Sequence, residues 1–216
     1  MPPNVTFEQA ASIPSGLNPF AVATYAQQPR GLGLTPPFTE GGLGKYADQP
    51  IVIMGGASSL GQYGMYSHSP RLILRTNTRR RTGIQLARLS GFSPIITTAS
   101  LHNQDLLLSL GATHVLDRTL SATALKDHVA HITHASIPYI FDAVSLEETQ
   151  QAAFSLLAPG GTLAVVTQPY VEEGKDDKKV FVVLGLFHAP QNRALGAEFS
   201  IALTQWLAEG ALQVRC

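Results

Sequence analysis

The chain has 216 residues, of which 44% are apolar and 14% charged, so it is long and apolar enough to bury a core. Its formal net charge is zero, and its one cysteine, Cys216, excludes a disulfide scaffold and a thiolate zinc site. No apolar run reaches the roughly 18 residues of a membrane helix, and the first residues lack the segments of a signal peptide. These features predict a cytoplasmic protein with no bulk preference for nucleic acid or an anionic membrane.

Short β-rich segments alternate with helix-like segments from residue 50 onward. Most of these strands are apolar without polar alternation, which is typical of a parallel sheet buried on both faces. Strands are predicted at residues 50–54, 94–98, 113–116, 139–141, 162–166 and 180–184. Helices are predicted at 103–110, 121–133, 145–157 and 193–209, the third with Ser145 and Glu148 as a capping box. The order predicts an α/β fold, a Rossmann doubly wound six-stranded parallel sheet.

The first 49 residues do not follow this alternation. They contain one helix-like stretch at 7–27 and then a loop rich in proline and glycine at 29–48. We therefore expect two parts, with 1–49 as the entry from another domain and 50–216 as the Rossmann domain.

The turn after the first predicted strand has the composition of a phosphate-binding loop. It reads Gly-Gly-Ala-Ser-Ser-Leu-Gly over residues 55–61, a G-x-S-x-x-G pattern. Small residues between a strand and a helix let a pyrophosphate approach the backbone N–H groups and the positive end of the helix dipole. The predicted binding residues are Gly56, Ser58, Ser59, Leu60 and Gly61. A tight strand–helix turn without a ligand is the alternative, and the strands that follow favour the binding site.

The end of the second predicted strand indicates which dinucleotide is preferred. An NAD enzyme usually has an acid there to bind the ribose 2′-OH, whereas here Ser100, His102 and Asn103 follow the strand without an acid. Hydroxyl, imidazole and amide groups suit a 2′-phosphate, and Arg118 after the third strand can add positive charge. The pattern favours NADP over NAD. Ser100 could instead only cap the next helix, or do both.

Residues 64–82 interrupt the helix that should follow the phosphate turn. They contain five arginines and no acid. Ser100 lies 39 residues after Gly61, where about 20 are usual, and removal of these 19 residues restores that spacing. We interpret the segment as a translated, unspliced intron, because it breaks the helix, exceeds the usual spacing by 19 residues and differs in composition from its surroundings. In addition, Gly64-Met65-Tyr66 can be encoded by bases that resemble a 5′ splice site. If the segment is retained, an exposed loop is expected, since its arginines cannot be buried unpaired.

Together these motifs resemble those of the medium-chain dehydrogenase/reductase superfamily. The matching sequences are GGASSLGQY, IQLARLSGFSPIITTAS, LGATHVLDR, FDAVS and LAPGGTL. The chain most resembles the zinc-free, NADPH-dependent fungal branch that includes the trans-acting enoyl reductases of polyketide synthesis. That resemblance implies a larger two-domain oxidoreductase, in which a GroES-like N-terminal domain makes most of the substrate contacts. It implies that this chain lacks parts at both ends and is expected to have negligible reductase activity alone.

The resemblance also assigns positions along the cofactor. It implies that Ser58, Ser59 and Leu60 meet the pyrophosphate, and that Ser100 and Asn103 meet the 2′-phosphate. Further along the cofactor it places Arg118 near the adenine, Ala143 and Val144 at the ribose, and Val166 and Thr167 at the nicotinamide. Relatives often have a threonine near residue 19 that reaches the nicotinamide, whereas this chain has Asn18-Pro19-Phe20.

Other constellations are poorer candidates. His128, His131 and His134 have no carboxylate or cysteine to complete a metal set, so no metal site is predicted. The residues name no catalytic acid. The expected function is hydride transfer from NADPH to an activated C=C or C=O of a small molecule, such as a polyketide or another enoyl compound. The alternatives are a non-catalytic nucleotide-binding fragment and an interaction protein that uses the basic segment, and the oligomeric state stays open.

Overall fold

The structure of the protein is a computed structural model that describes residues 2–57 and 81–214. Within these ranges it has six strands and six α-helices. The strands are β1 (Ile51–Met54), β2 (Ile95–Ala99), β3 (His114–Asp117), β4 (Tyr139–Asp142), β5 (Thr162–Val165) and β6 (Lys179–Val182). The helices are α1 (Phe7–Tyr25), α2 (Arg81–Leu89), α3 (Gln104–Ser109), α4 (Ala122–Ile132), α5 (Glu147–Leu156) and α6 (Arg193–Glu209). Single 3-10 turns lie at Leu101–Asn103, Lys175–Asp177 and Pro190–Asn192.

All six strands form one parallel sheet in the order β3-β2-β1-β4-β5-β6. This order confirms the predicted Rossmann fold. Strands β1 to β3 are added towards one edge of the sheet and β4 to β6 towards the other, so the order of addition reverses between β1 and β4. At this boundary Val52 is in register with Ile140. In open α/β sheets the ligand crevice lies at this reversal, outside the carboxyl ends of the strands.

Helices cover both faces of the sheet. Along β1, Ile51 and Ile53 contribute to a core that includes residues of α1, α2 and α6. Val52 and Met54 point to the opposite face and join a second core with residues of α4 and α5. Because side chains alternate along a strand, a central strand that is apolar at every position fills both cores.

The segment before β1 packs onto the same sheet. Phe20 of α1 is buried and makes an edge-to-face contact with Phe141 of β4, with ring centroids 5.2 Å apart. Phe38 from the following loop contacts Phe199 and Trp206 of α6, at centroid distances of 5.9 and 6.1 Å. Residues 2–49 thus share a core with the sheet, and the division into parts 1–49 and 50–216 stays a prediction.

Several helix ends follow from local sequence. Thr6 caps α1, because its hydroxyl accepts the N–H of Gln9 at 3.2 Å while Gln9 Oε1 accepts the N–H of Thr6 at 2.9 Å. Ser121 caps α4 as expected, and Gly210, with φ of 71°, ends α6. Residues 101–103, by contrast, form a 3-10 turn before α3, so only part of the predicted 103–110 helix is α-helical.

The capping box predicted at Ser145 and Glu148 is wrong. Helix α5 begins at Glu147, and the N–H of Leu146 is accepted by the hydroxyl of Thr149 at 3.0 Å. The Ser145 side chain is buried and instead bonds the backbone of Asp142 and Val166. A buried hydroxyl beside unpaired backbone groups satisfies those groups first, because leaving them unsatisfied is costly.

The basic segment 64–82 lies outside the described residues except for Arg81 and Thr82, the first residues of α2. Across residues 2–57 and 81–214, none of the helices has the length and apolar character needed to cross a membrane.

Candidate cofactor-binding site

A cleft of about 750 Å³ opens at the carboxyl ends of β1, β2 and β3. Its remaining walls come from the start of α4 and from the β4–α5 region. Four of the predicted binding residues line it, namely Ser100, Asn103, Arg118 and Val144. The volume is in the range of pockets that hold small organic ligands.

The turn after β1 is held in place by two threonines of β2. The N–H of Gly55 donates to Thr98 Oγ1, and the N–H of Gly56 donates to the Thr98 carbonyl, each at 2.9 Å. Gly55 has a φ of 79°, which favours glycine. A Cβ on Gly56 would collide with the side chain of Thr97, whose hydroxyl donates to the Ile53 carbonyl at 2.7 Å. The predicted Gly56 therefore packs against β2 and does not face the cleft. The cleft lining includes its neighbours Gly55 and Ala57.

Sequence reasoning missed the role of Thr97 and Thr98. Both are buried in an otherwise apolar strand. Two adjacent threonines in a central strand are a usable signal, since each buried hydroxyl needs a partner. The other predicted residues of the turn, Ser58, Ser59, Leu60 and Gly61, lie outside the described residues.

Three polar residues follow β2 and project at the cleft. Ser100 begins the 3-10 turn, but within the described structure its hydroxyl makes no capping hydrogen bond to that turn. The amide nitrogen of Asn103 lies 2.9 Å from His102 Nε2 and 3.4 Å from the Ser100 carbonyl. Ser100 and Asn103 are half-buried and His102 is exposed. The alternative in which Ser100 serves only as a helix cap therefore loses its support.

The end of β3 brings one charge of each sign to the cleft. The Arg118 side chain is exposed. The backbone N–H of Arg118 donates to the Ala99 carbonyl at 3.0 Å and so joins the ends of β3 and β2. Asp117 Oδ1 accepts the N–H and the hydroxyl of Thr119, each at 2.8 Å. These hydrogen bonds hold the pKa of Asp117 below its usual range, so its carboxylate stays ionised and partnered within its own turn.

The four predicted residues after β4 and β5 are not gathered in this cleft. Val144 lines it, whereas Ala143 is buried beside β1 and its N–H donates to the Met54 carbonyl at 3.2 Å. Val166 and Thr167 are half-buried and lie outside the lining, on the β5 side of the sheet reversal. The cleft thus includes one residue of the four, Val144 from the loop after β4, and none from the loop after β5.

A second cleft of about 400 Å³ lies between α1 and the loop after β6. Asn18 and Pro19 line it from α1, and Phe187 and His188 line it from the loop. Phe20 points away into the core. Asn18 is thus the polar side chain of the Asn18-Pro19-Phe20 stretch that reaches a cleft.

Across residues 2–57 and 81–214, no group of three or more His, Cys, Asp or Glu side chains is arranged to hold an ion.

Comparison with known proteins identifies the family. The profile of the zinc-binding dehydrogenase family matches residues 82–192, slightly more than half of the chain. The chain belongs to this family, and the resemblance to the medium-chain dehydrogenase/reductase superfamily is confirmed.

The curated relatives include fungal trans-enoyl reductases. Trans-enoyl reductase FSL5 of Gibberella zeae is 29% identical over 170 residues, which cover 79% of this chain and 39% of that protein. The enoyl reductase component lovC of the lovastatin nonaketide synthase of Aspergillus terreus is 28% identical over 188 residues, covering 83% and 43%. The chain therefore spans about two-fifths of the length of these relatives.

Solved structures support the fold. The CurK enoyl reductase superposes on the whole chain with a TM-score of 0.64 at 20% identity, and the chain covers 56% of it. The Escherichia coli quinone oxidoreductase superposes with a TM-score of 0.66 at 15% identity, and the chain covers 58% of it.

Family membership implies a nicotinamide dinucleotide cofactor, and the described residues fit one. The turn lies so close to β2 that a Cβ at residue 56 would collide with Thr97, and glycine at this position permits the close approach. The adjoining cleft is large and offers hydroxyl, amide and guanidinium groups around its rim. Donors of this kind suit the ribose and phosphate groups of a dinucleotide.

Proposed function

We propose that the chain is the NADPH-binding part of an oxidoreductase of the enoyl reductase type. The observation that carries this proposal is the cleft at the ends of β1, β2 and β3, where Ser100, Asn103 and Arg118 come together. NADPH, when bound, supplies a hydride to an activated C=C or C=O, and a proton completes the reduction. The relatives described as trans-enoyl reductases support a small enoyl substrate, such as a polyketide chain.

The preference for NADPH over NADH rests on the end of β2. Ser100, Leu101, His102 and Asn103 follow the strand, and none is acidic. A carboxylate there would accept a hydrogen bond from the ribose 2′-OH of NAD and would repel the 2′-phosphate of NADP. The carboxylate at the adjacent strand end, Asp117 of β3, is engaged by Thr119, and a second carboxylate of the cleft lining, Glu148, comes from α5. Arg118 offers a guanidinium for a phosphate.

The remaining roles are proposed along the length of the cofactor. Ser58, Ser59 and Leu60, with Gly56 and Gly61 shaping the turn, would hold the pyrophosphate. Ala143 and Val144 would border the ribose, and Val166 and Thr167 would approach the nicotinamide. Both groups follow strands β4 and β5, which form the second half of the sheet. A Rossmann sheet consists of two mononucleotide-binding halves, which supports this order.

We also propose where the site lies in the whole protein. Residues 1–49 would be the entry from a GroES-like catalytic domain and 50–216 the cofactor domain. The single cysteine supports a reducing, cytoplasmic compartment. Asn18-Pro19-Phe20 stands where relatives have a threonine, so no residue of this stretch is proposed to contact the nicotinamide.

An arginine substitution tests the proposal directly. Arg118→Gln should weaken NADPH binding about tenfold and leave NADH binding nearly unchanged, since a charged hydrogen bond contributes about 1.5–3 kcal/mol. Lys126→Gln, an exposed change on α4 outside the cleft, is the matched control. Equal losses for both cofactors would contradict the assignment.

The same preparation separates an enzyme from a nucleotide-binding fragment. NADPH consumption with a 2-enoyl thioester is measured by absorbance beside the binding titration. Binding without turnover would favour the non-catalytic alternative for this chain, and turnover would show that it carries enough of the catalytic groups.

A further inference from the structure

One buried serine ties the loop after β4 to the loop after β5. Ser145 is 1% exposed, and its Oγ accepts the N–H of Val166 at 2.8 Å while donating to the Asp142 carbonyl at 2.6 Å. Its own carbonyl accepts the hydroxyl of Thr167 at 2.8 Å. One residue therefore contacts both loops through its side chain and its backbone.

Asp142 fixes the same residue from the β4 side. Its Oδ1 accepts the N–H groups of Val144 and Ser145, each at 2.8 Å, and its Oδ2 accepts the Thr149 hydroxyl at 2.7 Å. The carboxylate is fully buried. Hydrogen bonds from two successive N–H groups to one carboxyl oxygen define the path of the β4–α5 loop.

Gln150 extends the connection along the second loop. Its Nε2 donates to the Ser145 carbonyl at 3.2 Å and to the Gln168 carbonyl at 2.9 Å. Its Oε1 accepts the N–H of Tyr170 at 2.8 Å, and the side chain is fully buried. The loop after β5 is thus held on both sides of Thr167.

Ser145 adopts a backbone conformation that serine rarely uses. Its φ is 55°, in the left-handed region, where a non-glycine residue costs about 1 kcal/mol. Such a conformation persists only where the surroundings determine it, and it is concentrated at binding sites. The hydrogen bonds to Asp142, Val166 and Thr167 supply that determination.

We propose that Ser145 is a positioning residue that holds these two loops in the geometry that receives the nicotinamide half of the cofactor. The inference rests on the proposed NADPH binding. Ser145 is buried and outside the lining of the β1–β3 cleft, so it acts through Val144, Val166 and Thr167. The loop after β5 lies outside the lining of the cleft proposed for the adenosine half, whereas the loop after β4 borders that cleft through Val144.

The distinguishing test compares two ligands. Adenosine 2′,5′-bisphosphate carries the adenine and 2′-phosphate but no nicotinamide, whereas NADPH carries both. In Ser145→Ala we expect about tenfold weaker NADPH binding, equivalent to about 1.4 kcal/mol, and binding of the bisphosphate within about twofold of the native chain. Ser155→Ala, which removes a hydroxyl bonded only within α5 at 2.7 Å, is the matched control.

A glycine variant separates the hydroxyl from the backbone strain. Ser145→Gly loses the hydroxyl but accepts a positive φ readily, so it should lose NADPH affinity as Ser145→Ala does. Native NADPH affinity in the glycine variant would overturn the role of the hydroxyl. Equal losses for both ligands would overturn positioning in favour of general destabilisation.

Two further outcomes are decided by the same titrations. If neither Ser145 variant folds, Gln150→Met breaks the link from the α5 side, and selective loss of NADPH binding is again expected. Unchanged NADPH binding in that variant would overturn the proposal. A native chain that binds neither ligand would overturn the proposed function itself, which is a different result from a native chain whose variants lose both ligands equally.

Discussion

The hydroxyl oxygens of Tyr25 and Ser90 lie 2.6 Å apart in a buried hydrogen bond that joins the end of α1 to the residue after α2. Tyr25 belongs to the segment that precedes the sheet, and Ser90 belongs to the first crossover of the Rossmann unit. The contact shows that residues 2–49 are bonded into the core of the unit that carries the site.

This bond predicts a measurable stability coupling. Tyr25→Phe should lower the free energy of unfolding by about 1–3 kcal/mol, because the Ser90 hydroxyl is left buried without its partner. Ser90→Ala should act similarly, and the double variant should cost less than the two single losses added together. Urea denaturation measures all four proteins. Additive losses would show that the two hydroxyls do not interact.

The same tyrosine predicts a dependence on alkaline pH. Burial raises the pKa of Tyr25, and the hydrogen bond to Ser90 offsets only part of that rise. Its contribution to stability is therefore complete below the pKa of an exposed tyrosine, about 10, and is lost as pH rises towards the folded-state value. The advantage of the native chain over Tyr25→Phe should shrink above about pH 10 in chemical denaturation. An advantage that stays constant to pH 11 would contradict this.

An acid placed at the end of β2 should reverse the cofactor preference. Ser100→Asp sets a carboxylate where NAD enzymes bind the ribose 2′-OH, so NADPH affinity should fall by about tenfold or more while NADH affinity is kept or improved. Ser109→Asp, an exposed change on α3, is the control for added charge. Calorimetry with both cofactors measures the reversal, and parallel losses for both would show that Ser100 does not face the 2′ position.

The sequence predicts those features of the structure that depend on residues close together along the chain. The order of the strands follows from the alternation of apolar β-rich runs with helical segments. Helix α6 has the predicted bounds because its apolar residues recur at helical spacing and Gly210 ends the helix. Ser145 was misinterpreted because a serine three residues before an acid is a local capping pattern. Its hydroxyl instead bonds Asp142, three residues earlier, and Val166, 21 residues later. Val166 comes close to Ser145 only when β4 pairs with β5.

The candidate site divides in the same way. Ser100 and Arg118 could be placed at the cleft from strand ends alone, since carboxyl ends of parallel strands meet at one edge. The support of Gly55 by Thr98 could not be read locally, because the two residues are 43 positions apart.

Removal of residues 64–82 should strengthen cofactor binding. The deletion restores about 20 residues between the glycine turn and the ribose position and joins the turn to the helix whose N–H groups favour a phosphate. We expect about tenfold tighter NADPH binding and a higher melting temperature. A variant in which the segment is replaced by glycine and serine at equal length separates composition from spacing.

Transcripts offer an independent check of the same segment. Mature messages that lack the codons for residues 64–82 would support an intron. Messages that uniformly retain them, together with a deletion variant that no longer folds or binds, would show that the segment belongs to the working protein.

The most direct test of a NADPH-binding Rossmann domain is a calorimetric titration of the purified 216-residue chain with NADPH and, separately, with NADH. We expect saturable binding of NADPH with a Kd at least about tenfold below that for NADH, the difference that one charged hydrogen bond to a phosphate supplies. Tighter binding of NADH, or binding of neither cofactor, would contradict the assignment of Ser100, Asn103 and Arg118 to a 2′-phosphate.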